Sequence, residues 1–367
     1  MRETIMADVD INAVHTALGQ VLDPALEQSL AELDAIRKLE VSGARAEVEL
    51  CLGYPLGRDD TLARRVRDAL VALPGIDEVG LVLDWQIDAH PAANSAMAIR
   101  GVKNIIAVAS GKGGVGKSTT AANIALALAA EGAHVGILDA DIYGPSQPQM
   151  LGVGQKRPQV IGEGKAQQMI PIPAHGLQSI SMGYLVSEQT PMVWRGPMVS
   201  GALKQLLTQT RWDELDYLII DMPPGTGDIA LTLSQSVPVT GAVVVTTPQD
   251  IALLDAKKGI EMFRKVNVPV LGVIENMAVH VCSECGHKEH IFGAGGGERI
   301  AADYQTRLLG ALPLSLAIRR QADGGEPSVV ANPDSPESQE YLAIARRLAA
   351  ELWRANRRAA PVTIIES

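Results

Sequence analysis

An eight-residue run in the first third of the chain has the residue types and the spacing needed to hold phosphate. It reads Gly111, Lys112, Gly113, Gly114, Val115, Gly116, Lys117 and Ser118. Glycines let the backbone curl through positive φ angles and point successive N–H groups at phosphate oxygens. Lys117 can reach the β- and γ-phosphates, and the Ser118 hydroxyl can bind Mg²⁺. The pattern Gly-x4-Gly-Lys-Ser is that of a phosphate-binding P-loop and predicts a nucleotide site.

The residues on either side place this loop in the context that a P-loop requires. Residues 105–108 form an apolar run, rich in β-branched side chains, that suits a buried parallel strand. After the loop, Ala and Leu recur at helical spacing over residues 121–130. The N-terminus of such a helix adds partial positive charge beside the phosphates. The alternative, a glycine turn that merely joins a strand to a helix, is disfavoured by these flanks.

Two predicted strands downstream of the loop end in acidic residues. The first is followed by Asp139 and Asp141, and the second closes on Asp221. Carboxylates at the C-terminal ends of parallel strands near a P-loop are placed to hold Mg²⁺ or to orient a water. Asp221 ends a hydrophobic strand in the Walker B pattern, which predicts a direct or water-mediated Mg²⁺ ligand. For Asp139 and Asp141 the alternative is a salt-bridged loop carboxylate.

The residues after Asp221 can form a switch. Residues 223–227 read Pro-Pro-Gly-Thr-Gly. Their glycines permit the backbone change by which such a segment senses the γ-phosphate and relaxes on hydrolysis.

Cys282 and Cys285 indicate a second kind of chemistry. The spacing C-x2-C places two thiolates on one turn, close enough to share a metal or a cluster. A [4Fe–4S] cluster needs four ligands, and the third cysteine of the chain, Cys51, lies in the other half of the sequence. A two-fold dimer supplies four sulfurs by symmetry if this loop sits on the axis. The cluster hypothesis therefore requires a homodimer.

Two other interpretations of the cysteine pair stay open from the residues alone. A mononuclear zinc site could use Cys282, Cys285, His287 and His290, although four ligands within nine residues are tighter than usual zinc spacing. A redox-active C-x2-C pair would be expected to open a helix after a strand, which the glycines and charges here do not favour.

Composition and charge exclude several classes of function. The chain has 367 residues, of which 47 % are hydrophobic and 3 % aromatic, so its core must be mostly Ala, Val, Leu and Ile. A formal net charge of −10 argues against a protein that coats nucleic acid. No apolar run approaches the roughly 18 residues of a membrane span, and residues 1–10 lack the apolar segment of a secretory signal. Three cysteines are too few for a disulfide framework, so we expect a protein of the reducing cytoplasm. From the net charge and the lack of a membrane span, we expect neither nucleic acid nor membrane as a partner.

Length and patterning predict two domains. Residues 1–90 indicate a small α+β domain, residues 91–101 a small and polar linker, and residues 102–367 the P-loop domain. The first domain is expected to contain helices over residues 10–22 and 58–73 and strands over 36–41, 45–51 and 79–85. The second is expected to contain strands over residues 135–138, 217–220, 242–246 and 270–274, alternating with helices. This alternation predicts an α/β fold, a P-loop NTPase with a doubly wound, mostly parallel sheet and its ligands at the C-terminal strand ends.

Taken together, the motifs resemble those of the Mrp/ApbC-type iron–sulfur carrier ATPases, which are related to MinD, ParA and the nitrogenase iron protein. The matching segments are residues 111–118, Trp194-Arg195-Gly196-Pro197, residues 221–228, residues 246–249, Glu275-Asn276-Met277, Cys282 with Cys285, and residues 292–297. They cover nearly all of residues 102–330. The first domain resembles the PaaD-like domain found in many of these proteins, through residues 22–25 and 48–50.

The resemblance implies roles for individual residues. In that class the additional lysine of the loop reaches across a dimer to the partner's nucleotide, a role that falls on Lys112. The first-switch aspartate orients the attacking water, a role that falls on Asp141, and Asn276 matches the residue that contacts adenine. Catalytic roles are thus expected for Lys112, Lys117 and Asp141. ATP is expected to be bound by Gly111, Lys112, Gly113, Gly114, Val115, Gly116, Lys117, Ser118, Thr119 and Asn276. Mg²⁺ is expected on Ser118, Asp139 and Asp221, and the iron–sulfur cluster on Cys282 and Cys285.

The expected function is that of a homodimeric ATPase that holds a [4Fe–4S] cluster between its subunits. Scaffold proteins and apo iron–sulfur client proteins would be its partners, and slow hydrolysis would act as a switch. One alternative is a positioning ATPase of the MinD or ParA kind, against which the cysteine pair and the missing basic surface argue. A zinc-stabilised P-loop ATPase is another. MinD-like relatives use a C-terminal amphipathic tail on membranes, but residues 340–358 are expected to close the P-loop domain instead.

Overall fold

The computed structural model describes residues 10–57, 59–90, 97–164, 167–185, 196–282 and 284–359. Its contacts divide the chain into two units. The first comprises the described residues as far as Ile87 together with the end of the last helix from Ala349, and the second runs from Asp88 to Leu348. Most of the expected linker and the Trp194-Arg195 part of the matched motif lie outside the described residues.

The first unit is a three-stranded sheet with two helices. Its elements are α1 (Ile11–Gln20), β1 (Ile36–Ser42), β2 (Arg45–Leu52), α2 (Thr61–Val71) and β3 (Glu78–Trp85). The central strand β2 pairs antiparallel with β1 and parallel with β3. Every second residue of β2 is buried, as expected for a strand with one face on a core. The separate small α+β fold predicted from the sequence is confirmed.

Aromatic packing at the end of the last helix belongs to this first unit. The Trp353 ring lies 6.1 Å from the Tyr54 ring, and the Arg357 guanidinium lies 5.2 Å above the Trp353 ring. Arg357 also donates a hydrogen bond to the Leu33 carbonyl oxygen. The sequence pattern predicted that these helical residues belong to the P-loop domain. Their contacts place them with the first unit, because the partners are distant in the chain and invisible to local patterning.

A buried carboxylate organises the turn after α1. Asp23 accepts hydrogen bonds from the N–H groups of Ala25 at 3.0 Å and Leu26 at 2.7 Å, and from the Tyr54 hydroxyl. Burial raises the pKa of Asp23 above its ordinary value, although these hydrogen bonds oppose the change.

The second unit alternates strands and helices. Its elements are β4 (Val102–Ala109), α3 (Lys117–Ala130), β5 (Val135–Asp139), α4 (Gln147–Met150), β6 (Val160–Ile161), β7 (Gln168–Met169), β8 (Ile172–Ala174), β9 (Leu177–Ser181), α5 (Gly196–Gln209), β10 (Leu215–Asp221), α6 (Asp228–Ser236), β11 (Gly241–Thr246), α7 (Asp250–Lys265), β12 (Val270–Glu275), β13 (His280–Val281), β14 (Lys288–Glu289), α8 (Gly296–Asp303), β15 (Leu308–Ala311), α9 (Leu316–Asp323), α10 (Ser328–Ala331) and α11 (Pro336–Ala359).

Eight strands form the central sheet, in the order β15-β12-β11-β4-β10-β5-β9-β8. All neighbouring pairs are parallel except β8 with β9 at one edge. The doubly wound, mostly parallel sheet predicted from the sequence is confirmed. The strand order reverses beside β4, and the crevice at such a switch point, outside the C-terminal strand ends, is where α/β sheets bind ligands.

The last helix, α11, buries its apolar positions. Tyr341, Ile344 and Leu348 pack within the second unit, where Arg346 also forms a two-pronged ion pair with Glu131 at 2.7 and 2.8 Å. Among the described helices, none combines the length and the apolar character needed to cross a bilayer.

Candidate functional site

The P-loop leaves β4 and runs directly into α3. Gly114 and Gly116 both have a φ of +81°, a left-handed conformation that strains any side chain. A Cβ atom at Gly116 would also lie 2.1 Å from Nδ2 of Asn276. Gly116 is the N-cap of α3, so the N–H groups that begin the helix lie within the loop, where they can face a phosphate.

A buried network joins the loop to the end of β10. Lys117 Nζ donates to Asp221 Oδ1 and lies 3.2 Å from Ser118 Oγ. Gln147 Nε2 donates at 2.9 Å to both Asp221 Oδ2 and the Ser118 carbonyl oxygen. The structure thus brings together Lys117, Ser118 and Asp221, the three residues expected around Mg²⁺ and the phosphates.

Asp139, at the end of β5, is fully buried beside this network. Its carboxylate accepts hydrogen bonds from the N–H groups of Asp141 at 3.1 Å and of Ser146 and Gln147 at 3.0 Å, and from the Ser181 hydroxyl at 3.1 Å. Burial, reinforced by the nearby Asp221 carboxylate, raises the pKa of Asp139 to about 7. These bonds fold the segment after β5 back onto the strand end.

Two buried oxygens next to Asp139 and Asp221 have no hydrogen-bond partner within the described part of the chain. They are Ser146 Oγ and Gln147 Oε1. An unpaired buried polar atom costs about 1–3 kcal/mol, so such a pair marks a place built for water or a ligand. Hydroxyl and carboxylate oxygens are the donors that Mg²⁺ prefers. The residues present therefore fit a hydrated Mg²⁺.

Asp141 lies at the mouth of the site. It is half-buried, and this burial raises its pKa, while the Lys117 charge opposes the change. The residue lines an open cleft of about 640 Å³. Across the cleft lie residues of the predicted switch and the start of α6, namely Pro223, Pro224, Gly227 and Asp228.

The predicted switch is tied to the start of the P-loop. The N–H group of Gly225 donates to the Ser110 carbonyl oxygen at 2.9 Å, and Gly225 has a φ of +90°. A change of backbone at Gly225 therefore acts directly on the segment that enters the phosphate loop.

The structure also describes Lys112, Thr119 and Asn276, the other residues expected at the ATP site. Lys112 is half-buried, and its carbonyl oxygen accepts a hydrogen bond from the Ser110 hydroxyl at 2.9 Å. Thr119 lies in the first turn of α3. Asn276, directly after β12, donates from Nδ2 to the Val115 carbonyl oxygen at 2.8 Å. Its expected contact with adenine stays a prediction.

Cys282 and Cys285 occupy the turn of the β13–β14 hairpin. The Cys282 N–H donates to the His287 carbonyl oxygen, and the Gly286 N–H donates to the Cys282 carbonyl oxygen, both at 2.9 Å. Gly286 closes the turn with a φ of +70°. Hydrogen bonds from the N–H groups of Cys285 and Glu284 lower the pKa of the Cys282 thiol, which favours the thiolate that metals bind.

Within the described part of one chain, the hairpin contributes two cysteine sulfurs to a metal site. Among the described residues, no group of three or more His, Cys, Asp and Glu is arranged to hold a metal ion. The His290 ring nitrogen Nδ1 lies 2.8 Å from the Ala278 carbonyl oxygen. Cys51 is on β2, in the other unit. One chain therefore offers two sulfurs where a cluster needs four ligands.

Sequence reasoning assigned no role to two residues of this region, Gln147 and Glu275, although Glu275 lies in one of the matched segments. Gln147 joins Ser118 to Asp221, as described above. Glu275, the last residue of β12, accepts a hydrogen bond from the Gly297 N–H at the start of α8. The sequence signals for a role at the site were weak. Gln147 is the first residue of a short helix and precedes a proline, and Glu275 is noticeable only as the neighbour of Asn276.

Two family models match the chain. The model described as the NUBPL iron-transfer P-loop NTPase matches residues 101–349, which is more than half of the chain. The chain belongs to this family. A model described as an iron–sulfur cluster assembly protein matches residues 11–81, within the first unit. The resemblance inferred from the motifs is confirmed.

This iron-transfer P-loop NTPase is similar to proteins from several organisms. The iron-sulfur cluster carrier protein of Haemophilus influenzae is 52 % identical over 343 residues, which cover 93 % of this chain and 92 % of that protein. The mouse iron-sulfur cluster transfer protein NUBPL is 52 % identical over 256 residues, which cover 69 % of this chain and 79 % of that protein. A solved structure, a nucleotide-binding protein from Archaeoglobus fulgidus in complex with ADP, matches with a TM-score of 0.56 and 34 % identity, covering 65 % of this chain and 91 % of that one.

Proposed function

We propose that this chain is an ATP-hydrolysing iron–sulfur cluster carrier that works as a homodimer. The observation that carries the proposal is the pairing of two sites on one sheet. A complete P-loop site lies at the C-terminal strand ends, and the chain that continues from β12 presents a cysteine hairpin with only half of a cluster's ligands.

In this proposal the loop binds the phosphates of ATP. The N–H groups of residues 111–119 and the Lys117 ammonium surround the β- and γ-phosphates, and Asn276 contacts the adenine. Asp141, at the mouth of the cleft, orients the attacking water. Lys112 neutralises charge on the nucleotide of the partner subunit.

Ser118 and Asp221 would hold Mg²⁺, with Asp139 behind them. When bound, the ion neutralises the charge that develops on the phosphate oxygens during hydrolysis. The chain's own contribution is to keep these groups in place beforehand. Gln147 fixes Asp221 by its amide, and the hydrogen bonds to Asp139 hold the 141–147 segment against the site.

The cluster is the cargo of the protein. Cys282 and Cys285 from each of two copies supply the four thiolates of a [4Fe–4S] cluster on the two-fold axis. Scaffold proteins load it and apo iron–sulfur proteins receive it. Slow ATP hydrolysis switches the carrier between holding and releasing states, since binding energy at the nucleotide can act on the cysteine hairpin through the sheet that positions both.

Anaerobic reconstitution of the full chain tests the proposal. Wild type is incubated with ferrous iron and sulfide, and its visible absorption and its iron, sulfide and zinc content per dimer are measured. We expect about four irons and four sulfides per dimer, the content of one [4Fe–4S] cluster. Cys282→Ala and Cys285→Ala should lose them. Cys51→Ala is the matched control, because it removes a thiol outside the hairpin, and it should bind iron as wild type does.

Three outcomes contradict the proposal. Zinc bound at one ion per chain would favour a zinc-stabilised ATPase. A colourless protein that binds DNA or lipid vesicles in the presence of ATP would favour a positioning ATPase. Equal loss of iron in Cys51→Ala would show that the hairpin is not the site.

A further inference from the structure

Glu275, the last residue of β12, and Asn276, which follows it, contact two separate segments of the second unit. On one side, Asn276 Nδ2 donates to the Val115 carbonyl oxygen of the P-loop at 2.8 Å. On the other, the Glu275 carboxylate accepts a hydrogen bond of 2.5 Å from the Gly297 N–H. Gly297 is the second residue of α8, and residues 290–295 connect it to the end of the cysteine hairpin at Glu289. Two adjacent residues therefore contact the phosphate loop and the helix that follows the cysteine hairpin.

The backbone of this pair is fixed by both neighbouring strands. The Asn276 N–H donates to the Thr246 carbonyl oxygen at 2.7 Å, and the Glu275 carbonyl oxygen accepts from the Leu312 N–H at 2.8 Å. Both side chains are buried. Neither the Glu275 nor the Asn276 side chain has surrounding water or mobile backbone that could accommodate a shift. A displacement of one side chain therefore strains the other.

The residues that face Asn276 and Glu275 are glycines, Gly116 and Gly297, so backbone packs directly against both side chains. A Cβ atom at Gly116 would lie 2.1 Å from Asn276 Nδ2. A Cβ atom at Gly297 would lie 3.0 Å from Glu275 Cβ and 2.9 Å from Leu308 Cδ1. The P-loop and the start of α8 therefore rest against residues 275–276 without an intervening side chain, and a displacement at either glycine meets resistance immediately.

The chain turns from the nucleotide side into the cysteine hairpin at a strained residue. Met277 has a φ of +57°, a left-handed conformation that is uncommon for a residue other than glycine. The return leg is also tied to this point, because the His290 ring bonds the Ala278 carbonyl oxygen and the Gly293 N–H donates to the His290 carbonyl oxygen at 3.1 Å. The chain therefore enters the hairpin directly after residues 275–278, and His290, which follows the hairpin, is hydrogen-bonded back to Ala278.

The geometry points to Glu275 as a positioning residue that couples nucleotide binding in the P-loop to the placement of the cysteine hairpin. Nucleotide that enters the loop displaces Val115 and Gly116, Asn276 follows, and the Glu275 carboxylate moves Gly297 and the return leg of the hairpin. The inference deepens the proposed function, on which it rests for the role of Cys282 and Cys285 as cluster ligands.

The test uses the metal-free full chain, so that it does not depend on a loaded cluster. Alkylation rates of Cys282 and Cys285 with iodoacetamide are measured by peptide mass spectrometry, with and without Mg²⁺ and a non-hydrolysable ATP analogue. Cys51, in the same chain, is the internal reference. In wild type we expect nucleotide to change the hairpin rates by about fivefold or more, the lower range of coupling between sites.

Glu275→Ala should remove this nucleotide response while the chain still binds the ATP analogue. Glu275→Gln keeps a hydrogen-bond acceptor of the same length and should restore part of the response. A buried carboxylate away from both sites provides the matched control: Glu131, which pairs with Arg346. Glu131→Ala removes a comparable buried charge and should keep the wild-type response, which separates coupling from a general loss of stability.

The inference is overturned if Glu275→Ala keeps the wild-type response, if Glu131→Ala loses it equally, or if nucleotide has no effect on the hairpin of wild type. Failure of the proposed function would look different. If reconstitution shows no cluster but the alkylation rates still depend on nucleotide through Glu275, the coupling is supported and the proposed iron–sulfur cargo is contradicted.

Discussion

Lys117 donates a hydrogen bond to Asp221 in an ion pair whose side chains are 6 % and 0 % exposed. Two charges at this depth are tolerated because each neutralises the other. The pair joins the first residue of α3 to the last residue of β10. It therefore fixes, relative to each other, the lysine proposed to bind phosphate and the carboxylate proposed to bind Mg²⁺.

Replacing Lys117 with Ala should abolish ATP hydrolysis and leave Asp221 buried without its cation. Breaking a buried pair in this way costs about 3–5 kcal/mol, so the free energy of unfolding should fall by that order. The double variant Lys117→Ala/Asp221→Asn should recover much of the stability but none of the hydrolysis. Urea denaturation and phosphate release measure the two effects. Iron loading should survive in the single variant, and its loss would contradict a cluster site separate from the nucleotide.

Gln147→Ala should weaken hydrolysis without removing any residue of the P-loop. The amide donates to both Asp221 and the Ser118 carbonyl oxygen. Loss of a hydrogen bond to a charged group costs about 1.5–3 kcal/mol, which corresponds to roughly 10- to 160-fold in kcat/KM for ATP. Steady-state kinetics across a Mg²⁺ titration measure it.

Gln149→Ala is the matched control for this change. Gln149 lies on the same short helix, but its amide donates to the Asp323 carbonyl oxygen at 3.1 Å, away from the site. Hydrolysis should be unchanged in this variant. An equal loss in both variants would mean that the helix as a whole, and not the Gln147 amide, supports the site.

The parallel strands could be predicted because each is a continuous apolar run. All six residues of β11 are buried, as the sequence pattern of a strand covered on both faces requires. The edge pair β8–β9 was not predicted. It is short, contains Pro173, and turns through His175 and Gly176 at φ values of +49° and +84°, a pattern typical of a loop. β15 was not predicted for a similar reason, since four residues are too few to show a period.

Within the site, local spacing predicted the residues whose chemistry is specified by a motif. The P-loop and Asp221 are of this kind. Gln147 is not, because its role follows from contacts with Ser118 and Asp221, which are 29 and 74 residues away. Glu275 likewise accepts its hydrogen bond from Gly297, 22 residues further along. Such residues become visible only when folding brings distant segments together.

Gly297→Ala should disturb the contact between β12 and α8. The added Cβ would lie 2.9 Å from Leu308 Cδ1 and 3.0 Å from Glu275 Cβ, so neighbours must move. Overpacking of this kind typically costs about 1–3 kcal/mol. Thermal unfolding should show the loss. Gly201→Ala is the control, because Gly201 lies in the helix α5 and a Cβ there would meet no described atom within 4 Å. That variant should be as stable as wild type or more so, since Ala favours helix.

Asp23→Asn should change how the stability of the first unit depends on pH. Burial raises the pKa of Asp23 above 3.8, so the folded chain keeps a proton that the unfolded chain releases. The neutral Asp23 carboxyl therefore makes its full contribution to the free energy of unfolding below pH 3.8. This contribution is lost as the pH rises through the pKa of the folded state. Asn mimics the neutral form, so the urea midpoint of wild type relative to Asp23→Asn should fall as the pH rises from about 4 through the pKa of the folded state. Limited proteolysis of the first unit in urea measures this midpoint. Asp84→Asn, on the exposed side of β3, removes a carboxylate without burial and should follow wild type. A constant difference between wild type and Asp23→Asn over this range would show that the buried carboxyl does not keep its proton on folding.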